Sequence, residues 1–396
     1  MAVIGWTVFL CEISSAQSSL HAGGNVFVGK TGVWGTLDYS ELRLEPPVEY
    51  SEGILNSVVP QMIWRFVGFD ASSLGRSLMG AGMNEEQVNT LLGASPKLNP
   101  QGWIEVVPPA ELVLSLTPQV RAKVYDLLRS DPITSVYRTP YVLYPNWHQE
   151  LADENQVAPS VIEMAQKLTY YRGAVACFSD VPLVLQSLSD HGEKLEFMKA
   201  VLRDRSLGVR LRVDEEADFA GIKAYWSAFG RNEGVMPILE ALEARGGKGT
   251  LDLVYLLPPV PRSLIYTFAD PTSERGGNRP DCFWTAGNFF NEEASSRFLD
   301  SSAFPRFLFE NFEEVRGIPA FGDVVLISDE TSEGPIHACN YLADGLVFSK
   351  NGRSLTRPWV VDRLTEVVAG YRKSFEISVR YYRQKKALRR AAGTND

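Results

Sequence analysis

Cys282 and His337 are the residues whose types and placement best support covalent chemistry in this chain. Asp281-Cys282 follows a loop rich in Gly and Pro and precedes Phe283 to Phe290, an order that predicts a helix with Asp281 at its N-cap and the thiol in its first turn. A cysteine there feels the positive end of the helix dipole, and a nearby imidazolium lowers its pKa further, so the expected form at neutral pH is thiolate. Further on, Val324 to Ile327, Gly334-Pro335, Ile336 to Leu342, the turn pair Asp344-Gly345 and the return run Leu346 to Lys350 predict a hairpin with His337 on a strand. Alone, a free cysteine is usually a small buried hydrophobe. A helix-borne thiol facing a strand-borne imidazole is instead the arrangement that nucleophilic acyl transfer needs.

These pieces resemble the NlpC-type cell-wall peptidases, a branch of the papain-like cysteine hydrolases. The resemblance covers residues of about 262 to 383 and rests on Asp281-Cys282 at a helix start, Gly322-Asp323-Val324-Val325 on a strand, and His337 followed by Tyr341-Leu342 and Asp344-Gly345 on the hairpin. It implies an α+β fold in which a papain-like helix packs on an antiparallel sheet. It also implies a cysteine-dependent amide hydrolase that acts on peptidoglycan stem peptides without a cofactor. The chain departs from the family pattern at Phe283-Trp284, where the family has Ser-Gly, and at Asn340, where it has an apolar residue. Phe283-Trp284, together with the absence of a His at position 349, keeps a catalytically inactive papain-like binding module open as an alternative. A thiol acyltransferase or thioesterase is the other, although such permuted relatives carry His before Cys.

The family places a His, Asn or Gln about twelve positions after the base, and that position here is Ser349. Register bears on this independently. A two-residue Asp344-Gly345 turn puts Lys350 on the face of His337, whereas one bulged residue restores Ser349 and Asn351 to it. Lys350 can only donate, while Ser349 or Asn351 can accept from the imidazole N–H. The expected site is therefore Cys282, His337 and Ser349, with Asn351 as the second choice for the third member. Cys339 shares a strand face with His337 and Tyr341 and is expected to be a small filler rather than a disulfide partner of Cys282.

The rest of the chain must position these groups. Its 396 residues carry 39 Lys+Arg against 48 Asp+Glu, a net charge of −9 that makes nucleic acid a poor expectation as partner. No run is long and apolar enough for a transmembrane span, and the four cysteines and four histidines are too dispersed to hold a metal. Residues 1–22 read as a signal peptide or an N-terminal strand, which leaves cell envelope or secretion against cytoplasm. Residues 23–258 read as a mostly helical domain that covers or restricts the cleft, 259–383 as the hydrolase domain, with the break at Pro258-Pro259, and 384–396 as a basic tail. Leu207, Val209, Leu211 and Val213 alternate as a half-buried strand, and Leu251 to Leu257 reads as another. Trp359 to Ala369, opened by Pro358 and closed by Gly370, reads as an amphipathic helix. Gly24 to Thr31 satisfies the phosphate-loop pattern G-x-x-x-x-G-K-[ST], but strand-like residues sit inside the loop and Gly32 to Gly35 cannot start a helix, so a Gly-flanked strand and turn is expected.

Overall fold

A computed structural model describes residues 20–385 apart from 94–95, 145, 155–156, 174, 275–276, 301, 333 and 373–374. The segment weighed as a signal peptide lies outside the described residues up to position 19, as does the basic tail from 386 onward. The described chain is α+β, and its strands pair in antiparallel ladders. Apolar side chains gather into two large cores. One is built within residues 55–202, mostly from helices, around Trp64, Phe66, Tyr125 and Phe178. The other joins Leu37 and Tyr39 to residues from Val209 to Tyr382.

That second core runs through Pro258, so the expected break there does not divide the packing. Val209, Leu211 and Val213 are buried as their alternation predicts, in strand Asp204–Val213, which pairs with Thr36–Leu44. The helices Phe219–Trp226 and Met236–Ala244 bring Ile222, Trp226 and Leu239 to the same cluster as Phe289, Phe321 and Phe348. Polar bonds tie these parts together: Tyr225 Oη donates to Leu342 O at 2.7 Å, and Ser206 Oγ bonds the backbone of Val361 at 3.1 and 2.9 Å. A Pro-rich stretch marks a local stop, not the edge of a core, because burial is decided by residues far apart in the chain.

The six-stranded sheet that carries the candidate residues runs in the order Phe312–Val315, Ile377–Gln384, Val324–Asp329, Pro335–Tyr341, Leu346–Lys350, Trp359–Arg363. Both faces are covered, which explains why Val324 to Ile327 is apolar throughout rather than alternating. Val324, Leu326, Ala338, Leu346 and Phe348 face the helix Cys282–Asn288, and Val325, Ile327, Cys339, Tyr341 and Val347 face the helix Leu364–Arg372.

Two further expectations change. Trp359–Arg363 is a strand and the helix starts only at Leu364, since a short buried run such as Trp359-Val360-Val361 fits either period and pairing with Leu346–Lys350 settles it. Strand Gly249–Asp252 gives way to a 3-10 turn, Leu253–Leu256, because the Asp252 carboxylate accepts from Val254 N at 3.1 Å. The phosphate-loop look-alike is strand Leu20–Val28 followed by Gly29 and Lys30, with no helix after it. Gly29 and Lys30 instead clasp the hairpin tip: Lys30 N donates to Asp344 Oδ2 at 2.9 Å, and a Cβ on Gly29 would lie 2.4 Å from that oxygen.

Candidate active site

The helix Cys282–Asn288 begins as predicted. Asp281 is extended at φ −130°, and its carboxylate accepts from Trp284 N at 3.0 Å, capping the first turn. The other carboxylate oxygen accepts from Arg353 Nε at 3.0 Å, and Trp359 Nε1 donates to Thr285 Oγ1 at 2.9 Å, so the helix tip is tied to the strand Trp359–Arg363 and the loop before it. The thiol at that tip is 6% exposed.

Its protonation differs from the sequence expectation. Burial and then the neighbouring Asp281 carboxylate push the Cys282 thiol up to about 12, against the opposing N–H groups of Ala338, Phe283 and Cys282 itself. The capping carboxylate supplies a negative charge where the helix dipole supplies a partial positive one, and desolvation adds to the carboxylate's effect. At neutral pH the residue is a thiol.

The hairpin register sets which residues share the face of His337. Asn340 pairs with Phe348 and Tyr341 with Val347, and Leu342 N donates to Leu346 O around a loop of Ala343, Asp344 and Gly345. The turn thus holds one residue more than an Asp344-Gly345 pair, with Asp344 at φ +49° and Gly345 at φ +75°. Ser349 and Asn351 consequently share the face of His337, and Lys350 points to the other side.

His337 is fully buried. Ser349 Oγ lies 3.0 Å from its Nε2 and donates to Asn351 Oδ1 at 3.0 Å. Since the serine hydrogen is committed to Asn351, Nε2 must carry the imidazole proton and Nδ1 must be the acceptor. Tyr371 Oη sits 2.9 Å from Nδ1, with its ring stacked on the imidazole at 4.8 Å between centroids and 29° between planes. The four residues form one directed chain: Tyr371 O–H to Nδ1, Nε2–H to Ser349, Ser349 O–H to Asn351. Burial pushes His337 down to about 3, so the ring is neutral at physiological pH.

The structure therefore brings His337, Ser349 and Asn351 together, while the imidazole does not face the thiol as the sequence led one to expect: its two ring nitrogens are taken by Ser349 and Tyr371. The period of two sends His337 to the side of Cys339, and the cysteine helix packs on the other side. The two sides communicate where the ladder between Pro335–Tyr341 and Leu346–Lys350 stops, short of residues 337–339. There the Ala338 N–H favours the Cys282 thiolate, and Cys282 in turn raises the pKa values of Cys339 and Tyr371. Cys339 is a free, buried thiol.

Three residues of this region escaped the sequence reading. Tyr371 ends a helix whose start was misplaced. Lys350, fully buried, donates to the carbonyls of Gly352, Ser354 and Arg357 at 3.1, 2.9 and 2.8 Å, and fixes the loop that carries Asn351 and Arg353. Arg383, for which no role was read, clamps the buried Asp323 through Nε at 2.8 Å and Nη2 at 2.6 Å. A Lys at the end of an apolar strand offers no sequence signal for such a role.

Among the described residues no group of three His, Cys, Asp or Glu is placed to hold a metal ion, and no helix is long and apolar enough to cross a membrane. Fold and site together define an α+β chain with a histidine-centred polar chain behind a helix-tip cysteine. Comparison with known proteins adds no identity to this: no family model, curated protein or solved structure matches the chain.

Proposed function

We propose that residues 262–383 form a papain-like cysteine hydrolase that cleaves peptide amides, with peptidoglycan stem peptides as the substrate class. The observation that carries this reading is the Nε2–H bond to Ser349, twelve residues after the base, with Asn351 behind it. That bond fixes the tautomer in which the Nδ1 lone pair, engaged by the Tyr371 hydroxyl in the resting site, is the one that serves as base toward a thiol. In the reaction Nδ1 takes the proton from Cys282, and the sulfur attacks the amide carbonyl. N–H groups at the helix start, including that of Cys282, stabilise the oxyanion. The imidazolium then protonates the leaving amine, and neutral His337 activates water to release the acyl group. As described, the site is closed, with thiol and imidazole both neutral.

The test is alkylation of Cys282 by iodoacetamide at neutral pH in the wild type and in His337→Ala, together with product analysis on purified peptidoglycan. Histidine-dependent alkylation and new amine termini, both lost in Cys282→Ala, are expected. A specific observation favours a second reading, an inactive papain-like module: the thiol is sealed and both ring nitrogens are occupied. Alkylation indifferent to His337, with peptidoglycan left intact, would select that module, and cleavage of acyl esters alone would select a thioesterase.

A further inference from the structure

We propose that Tyr371 is a positioning residue that latches the base: its hydroxyl holds the Nδ1 lone pair of His337 and must swing away before that nitrogen can accept the Cys282 proton. This rests on the hydrolase reading and adds a regulated step to it. Three geometric facts support it. The Tyr371 hydroxyl is 2.9 Å from Nδ1. Ser349, by committing its hydrogen to Asn351, makes Nδ1 the acceptor, so the tyrosine occupies a lone pair and not an N–H. The stacked rings hold both side chains in place at 4.8 Å. An imidazole nitrogen has a single lone pair, so a thiol that is to give its proton to Nδ1 must first displace the hydroxyl.

Tyr371 is also placed to respond to the nucleophile. Burial raises its pKa first and the neighbouring Cys282 and Cys339 raise it further, with Arg357 opposing, so it is a donor and not a base at neutral pH. It stands in the last turn of Leu364–Arg372, a helix in which Val367 is the buried anchor. In the unlatching step the tyrosine keeps its proton. The S–H bond breaks, the Nδ1–H bond forms, and the products are a thiolate and an imidazolium.

The experiment uses the full chain and Tyr371→Phe, which keeps the ring and removes the hydroxyl. Two readouts are taken: the pH profile of Cys282 alkylation by iodoacetamide, mapped by mass spectrometry, and the ¹⁵N resonances of His337. Expected are a shift of Nδ1 toward its unbonded value with Nε2–H retained, and alkylation at neutral pH faster by on the order of tenfold, the factor one ordinary net hydrogen bond represents. The gain should vanish in the double variant with His337→Ala. An unmoved Nδ1 resonance overturns the latch. So does His337-dependent alkylation that is equal or slower in Tyr371→Phe, and in that case the hydrolase reading stands. If Nδ1 is freed and Cys282 still shows no dependence on His337, latch and hydrolase reading fall together.

Discussion

Replacing Ser349 by Ala isolates the bond on which the tautomer argument depends. The hydroxyl makes two hydrogen bonds of 3.0 Å, one to the imidazole and one to Asn351, at a position with no solvent exposure. In Ser349→Ala the Nε2–H of a fully buried ring loses its acceptor, at a cost of about 1–3 kcal/mol, whereas Asn351 is only partly buried and can turn to water. The ring can escape by moving its proton to Nδ1 and donating to the Tyr371 oxygen, but an unpaired lone pair then remains at Nε2. Urea denaturation should therefore show a loss of about 2 kcal/mol, and ¹⁵N spectra should show His337 leaving its single Nε2–H form. Asn351→Ala should be milder, below about 1 kcal/mol, because it frees the Ser349 hydrogen to point either way. A stability change within about 0.5 kcal/mol in Ser349→Ala, with the His337 resonances unmoved, would show that the directed chain does not exist.

Gly29→Ala drives a methyl to 2.4 Å from Asp344 Oδ2 and 3.0 Å from Leu37 O, and should destabilise the fold by about 1–3 kcal/mol. Adding Asp344→Gly, tolerated at a positive φ, should recover part of that in thermal melts, and no recovery would deny the clasp. Lys350→Met leaves three carbonyls without their shared donor and should cost about 3 kcal/mol, with faster amide exchange through residues 351–357. Unchanged exchange there would mean that the ammonium does not anchor the loop. Asp180 is fully buried against Tyr125 and Arg121, and burial raises it from 3.8 to about 6, above its unfolded value. The folded state therefore holds its proton more tightly, so the stability of the wild type relative to Asp180→Asn should be greatest below about pH 4 and fall as pH rises through 6. Parallel stability curves for the two proteins would rule this out.

Local rules were legible where neighbours in sequence are also neighbours in space. Asp281 announces a helix because the residue it caps is three positions away, and Val209, Leu211 and Val213 announce a strand because alternation is set by the backbone itself. Where partners are distant, the same residues mislead. Pro258-Pro259 does stop the chain, yet Leu239 before it and Phe289 after it enter one core, and nothing within a window of ten residues records that. Gly29 is a glycine because Asp344 lies against it, 315 positions along, not because it cradles a phosphate.

The candidate site follows the same division. Cys282, His337 and Ser349 were readable because each sits at a signalled position: a cap, a hairpin strand, a register offset. Tyr371 was not, and the cause is one misplaced boundary. With Trp359 taken as the start of a helix, Gly370 becomes its end and Tyr371 falls outside. With Trp359–Arg363 given to the sheet, the helix shifts to Leu364–Arg372 and delivers Tyr371 onto His337. The shift changes the chemistry as well as the fold. A triad read from sequence is a thiolate waiting beside its base, whereas the folded chain holds a protonated thiol and a neutral ring whose lone pair is already engaged. Residue types can nominate a nucleophile and a base, but whether the two are joined depends on a third side chain that neither motif contains.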